Sequence, residues 1–160
     1  MDRIPTYYLC GVNHMKPTWF SVLFVFVQFL CLAVIGLTGP LFAYPIVLSL
    51  IELIGLFLGI WAVVMMRIGH FNLAPEPLTW SKMTSRGPYR IIRHPMYLAL
   101  LLTTSPLIIS DVSSLRLVIW FILLVNLILK MEYEEDLLQK HFPDYASYRK
   151  QTARLIPGVY

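Results

Sequence analysis

The chain has 160 residues, which is short enough for a single domain, and its composition excludes both a soluble and a disordered protein. Hydrophobic residues make up 58% of the sequence and charged residues 14%, against roughly 45–50% and about 25% in ordinary soluble domains. A globule of this size cannot bury such an excess, and disorder requires low hydrophobicity. The net charge of +4 does not indicate nucleic-acid binding, because membrane proteins place basic residues for topology. We therefore predict one all-α domain over residues 1–160, an integral membrane helical bundle whose surroundings are the lipid bilayer.

Four apolar stretches predict four transmembrane helices, at about residues 19–37, 44–66, 95–110 and 114–131. The first corresponds to ~28 Å of helix, about one hydrocarbon core. A signal peptide is disfavoured there, because the stretch is longer than a usual h-region and no A-x-A site follows it. The last two stretches are short, so we expect polar residues or longer neighbouring helices to extend them.

The basic residues predict the orientation of these helices. Of the 13 lysines and arginines, only Arg116 lies outside the N-terminal segment, the 67–94 segment and the C-terminal part of the chain that begins with Lys130 at the end of the fourth stretch. The positive-inside rule then places both termini and the 67–94 segment in the cytoplasm. Polar chemistry is expected on that side, in residues 67–94 and in a C-terminal helix and tail over 132–160. The small size and the lack of a retention signal favour a prokaryotic cytoplasmic membrane.

Two strongly polar side chains, Gln28 and Glu52, are predicted at membrane depth. Burying a polar group in the bilayer is costly, so each is expected to have a structural or functional role. A hydrogen-bonded Glu52 that holds helices together is the simpler interpretation, and a role in a substrate path is the alternative. Gly55 and Gly59 form a G-x-x-x-G pattern, which favours close helix packing over a function.

The run G-P-Y-R-I-I-R-H-P-M-Y, at residues 87–97, is rich in bases and aromatics. Pro95 suits the first turn of a helix with His94 at its cap, so a plain helix start is one interpretation. However, the third and fourth helices are joined by a short outer loop and should form a hairpin. That arrangement brings the run beside a carboxylate cluster at one end of the bundle. This end, the mouth of the bundle, suits a zwitterionic, ring-bearing ligand. The cluster comprises Glu132, Glu134, Glu135 and Asp136.

Signatures of several other site classes are missing from the sequence. The eight glycines include no G-x-G, so neither a Rossmann fingerprint nor a P-loop is present. The four histidines show no metal-ligand spacing, and we predict no metal site. No G-x-S-x-G elbow occurs, and the two cysteines form no C-x-x-C motif.

Several runs together resemble a known family. They are W-A-V-V-M-M-R-I-G, S-R-G-P-Y-R-I-I-R-H-P-M-Y-L, E-E-D-L-L-Q-K-H-F-P-D-Y-A-S-Y and a terminal R-L-I-P. From about Gly55 to Pro157 the chain resembles the isoprenylcysteine carboxyl methyltransferases and their prokaryotic relatives, with phospholipid methyltransferases as more distant kin. The combination of G-P-Y-x-x-x-R-H-P-x-Y with a following E-E-x-x-L is more specific than either half alone.

The resemblance implies an integral membrane enzyme that binds S-adenosyl-L-methionine in a cytoplasm-facing pocket without a Rossmann fold. It implies that a lipophilic or prenylated acceptor enters sideways from the bilayer. Lys130 stands where the family has an arginine at the substrate and is the candidate catalytic residue. The cofactor contacts implied by the resemblance are Tyr89, His94, Pro95, Met96, Tyr97 and Glu134, and, with a looser fit, Ser81, Lys82, Met83 and Thr84.

Three departures from the family pattern bear on substrate and packing. Lys130 offers a point charge in place of a planar guanidinium, which weakens the case for a prenylcysteine carboxylate. Ala99 replaces a frequent glycine, and Phe142-Pro143 replaces a common Phe-Gly.

The predicted function is therefore methyl transfer to a membrane-resident acceptor, an isoprenylcysteine carboxylate or a related isoprenoid or lipid. Whether the accepting group is a carboxylate, thiol or amine stays open, as does the oligomeric state. The alternatives are an NADPH-dependent membrane reductase of the sterol-reductase kind and a non-enzymatic membrane adaptor. A basic 82–93 stretch that could hold NADPH phosphates keeps the reductase in consideration.

Overall fold

The computed structural model describes residues 18–67 and 86–158, which form an all-helical bundle. The helices α1 and α2 are followed by a short 3₁₀ turn at Gly87–Arg90 and then by α3, α4 and α5. Their bounds are Trp19–Leu37 for α1, Ile46–Arg67 for α2, Pro95–Ser110 for α3, Ser114–His141 for α4 and Tyr145–Gln151 for α5. This architecture confirms the predicted all-α fold class.

The helix boundaries follow local sequence signals. Thr18 caps α1, and its hydroxyl accepts from the backbone N–H of Ser21 at 3.4 Å. Ser113 caps α4 in the same way, accepting from Arg116 N–H at 3.3 Å. Pro95 is the first residue of α3, where its missing N–H costs nothing, and His94 is the N-cap.

Three of the helices, α1, α2 and α4, are long and apolar enough to cross a membrane, whereas α3 is a shorter apolar helix of 16 residues. α4 continues without a break through the polar sequence after residue 131, as predicted for a polar extension of the fourth stretch. At 28 residues it is ~42 Å long, so it extends beyond one hydrocarbon core. The predicted count of four spans and the cytoplasmic location of both termini stay predictions.

The bundle consists of two helix pairs that share one core. α2 packs mainly against α3, α1 packs mainly against α4, and α3 and α4 form the hairpin that joins the pairs. The buried core draws on α1, α3, α4 and the C-terminal segment, through residues that include Cys31, Ile35, Leu107, Leu123, Leu127, Met131 and Leu155. Large apolar side chains on the outer faces of α1, α2 and α4 are exposed, as expected for surfaces in contact with lipid.

The glycines of α2 permit close contact with α3. A Cβ atom added at Gly55 would lie 2.8 Å from the backbone nitrogen of Thr103, whereas one at Gly59 would lie 3.4 Å from the Cβ of Ala99. The predicted role of the G-x-x-x-G pattern in helix packing is confirmed. The pairing also explains how Ala99 fits in place of the family's glycine, since the space for its methyl group is supplied by Gly59.

Two buried charged residues fix the loops between the helices. Oε2 of Glu52 accepts from the backbone N–H of Ala43 at 2.8 Å, which satisfies the carboxylate within the α1–α2 loop. Nη1 of Arg116 donates to the backbone oxygen of Asp111 at 2.8 Å and to its carboxylate at 2.9 Å. The guanidinium of Arg116 packs directly over Gly39, so it joins the α1–α2 loop to the α3–α4 loop. Glu52 is thus hydrogen-bonded, as the simpler of its two interpretations requires, but its partner belongs to the loop before its own helix and not to another helix.

The predicted orientation can be tested with single cysteines placed at Thr38 and Lys150, both exposed, in a chain lacking the native cysteines. We expect a membrane-impermeant thiol reagent to label these positions from opposite sides of sealed vesicles. Labelling of both from the same side would contradict the four-span topology.

The close approach of α2 and α3 predicts different effects of two similar substitutions. Gly55→Ala should destabilise the protein by about 1–3 kcal/mol, the usual cost of overpacking, because the contacting atom is rigid backbone. Gly59→Ala is the matched control, and we expect little change, because its new methyl group only reaches ordinary contact distance. Thermal unfolding in detergent measures both, and equal melting temperatures would contradict the packing described here.

Candidate active site

The candidate site lies where the start of α3 meets the polar extension of α4. The chain enters it through the 3₁₀ turn, which begins at Gly87 with a φ of +57°. A Cβ atom at Gly87 would lie 2.7 Å from the side chain of Met65, so glycine is required both by conformation and by space. The turn places the buried Tyr89 against α2, where its hydroxyl lies 3.6 Å from the sulfur of Met66.

The C-terminal segment holds the start of α3 in place. The backbone N–H groups of Arg93 and His94 donate to the oxygens of Ala153 and Arg154 at 2.8 and 3.2 Å. In return the N–H of Ala153 donates to the oxygen of Ile91 at 3.0 Å. This C-terminal clasp, formed by residues 152–155, also receives a hydrogen bond from Nη1 of Arg93 at the oxygen of Thr152. The segment that contains the H-P-x-Y motif and the segment that contains R-L-I-P are therefore joined by hydrogen bonds.

Tyr97, Glu134 and His94 form the polar centre of the site. The hydroxyl of Tyr97 donates to Oε1 of Glu134 at 2.5 Å, and Nδ1 of His94 lies 3.6 Å from Oε2 of the same carboxylate. The rings of His94 and Tyr97 are stacked, with centroids 5.5 Å apart. His94 and Tyr97 are buried, whereas the side chain of Glu134 is 17% exposed, so its carboxylate is the member of the group that a ligand can reach.

Lys130 lies one turn before Glu134 on the same face of α4. It is only 4% exposed, and its Nζ donates to Oε1 of Gln28 on α1 at 3.1 Å. The same nitrogen lies 5.2 Å from the centre of the Tyr97 ring, within the range of a cation–π contact. Lys130, Tyr97 and Glu134 therefore form one continuous array, which α1 completes through Gln28.

Glu135 faces a different set of partners. Its Oε1 accepts from Nε of Arg93 at 2.9 Å and lies 3.2 Å from Nε2 of His94 and 3.3 Å from Nε of Arg154. Consecutive helical residues point about 100° apart, which predicts that Glu135 pairs with local bases while Glu134 faces elsewhere. These partners do not form a surface ion pair with Glu135, because the residue is only 3% exposed. The C-terminal clasp and the start of α3 together cover it.

The surroundings of these groups shift their proton affinities. Burial alone would raise the pKa of Glu135, but hydrogen bonds and positive charge from His94 and Arg93 lower it to about 2. Burial raises the pKa of Tyr148 to about 12, although the charge of Arg93 opposes this. Burial and the charge of Glu134 also raise the pKa of Tyr89 well above its ordinary value. At neutral pH the carboxylate of Glu135 is thus charged and both phenols are protonated.

Most of the predicted site residues come together at this mouth. Tyr89, His94, Pro95, Tyr97, Lys130 and Glu134 lie on the facing elements, with Met96 half-buried in the first turn of α3. Tyr89 also accepts, through its backbone oxygen, a 2.6 Å hydrogen bond from the hydroxyl of Tyr148. The predicted contacts at Ser81, Lys82, Met83 and Thr84 lie outside the described residues.

Three contributors to the site were not predicted as such. Gln28 was noted only as a polar residue at membrane depth, which was the available signal of a partner. Arg93 and Arg154 carry the pairing of Glu135, and their presence in the H-P-x-Y and R-L-I-P runs was the only sequence signal. Neither signal indicates which residue the side chain meets.

The buried pairing of Glu135 predicts that it governs stability. Glu135→Gln leaves Arg93 without its charged partner and should cost about 3–5 kcal/mol, as for other broken buried ion pairs. Because folding lowers the pKa of this carboxyl from 4.5 to about 2, its contribution is fully present above pH 4.5 and is lost as the pH falls towards 2. Thermal unfolding should show that the wild type loses stability between pH 7 and pH 3. The Glu135→Gln variant should lose less stability over the same range. A variant as stable as the wild type at pH 7 would contradict this role.

Comparison with known proteins identifies the family to which this geometry belongs. A search of the curated proteins finds no match. The model of the family described as "Phospholipid methyltransferase" matches residues 46–145, from the start of α2 to the start of α5. The match covers both halves of the array that Tyr97 and Glu134 form, and it confirms the resemblance to membrane methyltransferases. The chain belongs to the phospholipid methyltransferase family and is a membrane methyltransferase.

Proposed function

We propose that the protein transfers a methyl group from S-adenosyl-L-methionine to a lipophilic acceptor that resides in the bilayer. The observation that carries this proposal is the array of Tyr97, Glu134 and Lys130, which joins a partly exposed carboxylate to a buried ammonium across 2.5 Å and 5.2 Å contacts. The carboxylate faces the polar end of the bundle, and the ammonium lies deeper, between α1 and α4. A polar cofactor and an amphiphilic acceptor require such neighbouring polar and buried groups.

The residues of the site fit the charges of this cofactor. S-adenosyl-L-methionine has an ammonium, a carboxylate, a sugar and an aromatic base. Glu134 can accept from the ammonium or from sugar hydroxyls. Tyr89 and Tyr97 are cofactor contacts by the family resemblance. Ser81–Thr84 and Pro95–Met96 are further cofactor contacts by the family resemblance. When bound, the cofactor supplies a sulfonium-activated methyl group for in-line displacement.

The protein's own contribution to the reaction is positioning and exclusion of water. Holding two reactants in line can lower a barrier by ~7–11 kcal/mol in well-oriented cases. His94 and the hydroxyl of Tyr97 hold the Glu134 carboxylate from two sides, so its orientation is set before a ligand arrives. Lys130 lies against the Tyr97 ring on the side of α1, and we assign the acceptor to that side. A carboxylate acceptor needs no base, whereas a thiol or an ammonium must first lose a proton.

The lipid environment supports an acceptor that arrives from the bilayer. The outer faces of α1 and α4 form an open apolar groove of about 480 Å³, lined by residues that include Val27, Phe121, Ile122 and Val125. The positive-inside pattern supports an active site on the cytoplasmic face of a prokaryotic cytoplasmic membrane. An isoprenylcysteine carboxylate, another isoprenoid and a phospholipid are the acceptor classes that we propose.

The cofactor assignment predicts a difference between two glutamates of α4. Glu134→Gln retains the shape and the hydrogen bond from Tyr97 but removes the charge, and should weaken binding of S-adenosylhomocysteine roughly ten- to 150-fold, given ~1.5–3 kcal/mol for a charged hydrogen bond. Glu132→Gln is the matched control, because Glu132 is exposed and its ion pair with Arg154 is 3.7 Å long. We expect its effect to stay within the ~0–1 kcal/mol of surface pairs.

Isothermal titration calorimetry on both variants and the wild type measures these affinities, with NADP as a second ligand. Equal affinities of the two variants would contradict the role of Glu134. Binding of NADP in place of S-adenosylhomocysteine would contradict the proposed reaction and favour a reductase.

A further inference from the structure

The predicted cofactor contact Tyr89 lies in the 3₁₀ turn, and its main-chain oxygen is not part of a helical hydrogen-bond pattern. In a helix this oxygen would accept from the N–H group three or four residues later in the chain. Here the N–H groups of Ile92 and Arg93 donate to other backbone oxygens. The oxygen of Tyr89 instead accepts from the hydroxyl of Tyr148 on α5, at 2.6 Å.

The other contacts of Tyr89 place it between α2, α4 and α5. Its hydroxyl lies 3.6 Å from the sulfur of Met66 on α2, and its N–H donates to the oxygen of Arg86 at 3.2 Å. Burial and the charge of Glu134 on α4 raise the pKa of the same hydroxyl. The hydrogen bond from Tyr148 is the contribution of α5 to this arrangement.

Contacts other than the Tyr148 hydroxyl also fix the position of α5. Nη1 of Arg93 donates to the backbone oxygen of Arg149, at 3.1 Å, and to that of Thr152. The hydroxyl of Thr152 in turn donates to the backbone oxygen of Tyr148 at 2.8 Å. Removal of the Tyr148 hydroxyl should therefore release the oxygen of Tyr89 while α5 stays in place.

We propose that Tyr148 is a positioning residue, whose hydroxyl holds the 3₁₀ turn by the oxygen of Tyr89 and so presets the cofactor pocket. The inference rests on the proposed function, which assigns the cofactor to this pocket, and adds a role for α5. Tyr148 lies beyond residue 145, where the match to the family ends. Burial raises the pKa of its hydroxyl to about 12, so the group is protonated and can donate at neutral pH. A preset pocket binds more tightly because less order has to be created on binding.

Two conservative substitutions on α5 separate the hydrogen bond from the packing. Tyr148→Phe removes the hydroxyl that binds Tyr89 and keeps the ring. Tyr145→Phe is the matched control, because Tyr145 is 1% exposed and its buried hydroxyl has no hydrogen-bond partner among the described residues. The rings of the two tyrosines are neighbours, with centroids 6.0 Å apart, and both variants retain this contact.

Isothermal titration calorimetry with S-adenosylhomocysteine, on the full-length protein in detergent, measures the effect on cofactor binding. We expect Tyr148→Phe to bind this ligand roughly two- to tenfold more weakly than the wild type, as for the loss of one uncharged hydrogen bond. Tyr145→Phe should bind it as the wild type does. Thermal unfolding of the same samples should show that all three proteins are folded at the temperature of the titration.

A fluorine label tests whether the effect passes through Tyr89. Incorporation of fluorotyrosine at position 89 gives one fluorine NMR signal, which reports the surroundings of that ring. Without ligand, this signal should shift or broaden in Tyr148→Phe relative to the wild type, and it should stay unchanged in Tyr145→Phe. A loss of stability elsewhere in the chain would not move it.

Wild-type affinity in Tyr148→Phe would overturn the proposal, as would an equal loss of affinity in Tyr145→Phe, which would assign the effect to the packing of α5. A weaker affinity with an unchanged fluorine signal would also overturn it, because the hydroxyl would then act by another route. If the wild type itself does not bind S-adenosylhomocysteine, the proposed function fails and the inference fails with it. Binding by the wild type with no effect of Tyr148→Phe contradicts the positioning role alone.

Discussion

The structure depends on the pairing of charged groups where three chain segments meet. Glu135 of α4 accepts from Arg93 before α3 and lies against His94 at the α3 cap and Arg154 of the C-terminal clasp. A carboxylate this buried is stable only when it is paired, and Arg93, His94 and Arg154 supply that pairing. The cluster therefore fixes the start of α3, the rotation of α4 and the path of the C-terminal segment together.

Much of the helical framework could be predicted from sequence because its signals are local. Apolar length predicted the positions of α1 to α4, and Pro95 with His94 predicted the start of α3. The hairpin formed by α3 and α4 brought Tyr97 to Glu134, as expected from a short outer loop. The i, i+4 spacing of Lys130 and Glu134 places both on one face of α4. These inferences rest on geometry within one helix or between sequence neighbours.

Contacts between residues that lie far apart in the sequence could not be predicted from these local signals. Gln28 was visible as a polar residue at membrane depth, but its partner Lys130 lies 102 positions away and could have been any polar group on another helix. The sequence shows Glu135 only as one member of a carboxylate cluster and gives no sign that it is buried. Its burial follows from the C-terminal clasp, in which residues Ile91–His94 pair with Thr152–Arg154. No hydrophobic periodicity in the sequence predicts this pairing. Selection of distant partners depends on how the helices pack and not on the pattern within them.

Two adjacent glutamates of α4 carry different tasks because a helix turns by about 100° per residue. The pairing of Glu135 sets the rotation of α4, and the rotation in turn directs Glu134 and Lys130 towards Tyr97. A rotation of α4 by one residue would withdraw Glu135 from Arg93 and Glu134 from Tyr97 at once. The cost of unpairing the buried Glu135 thus also opposes misalignment of the candidate site. Glu134 accepts from Tyr97 of α3 but keeps a side chain that is 17% exposed, so it is the glutamate that the proposed function assigns to the ligand.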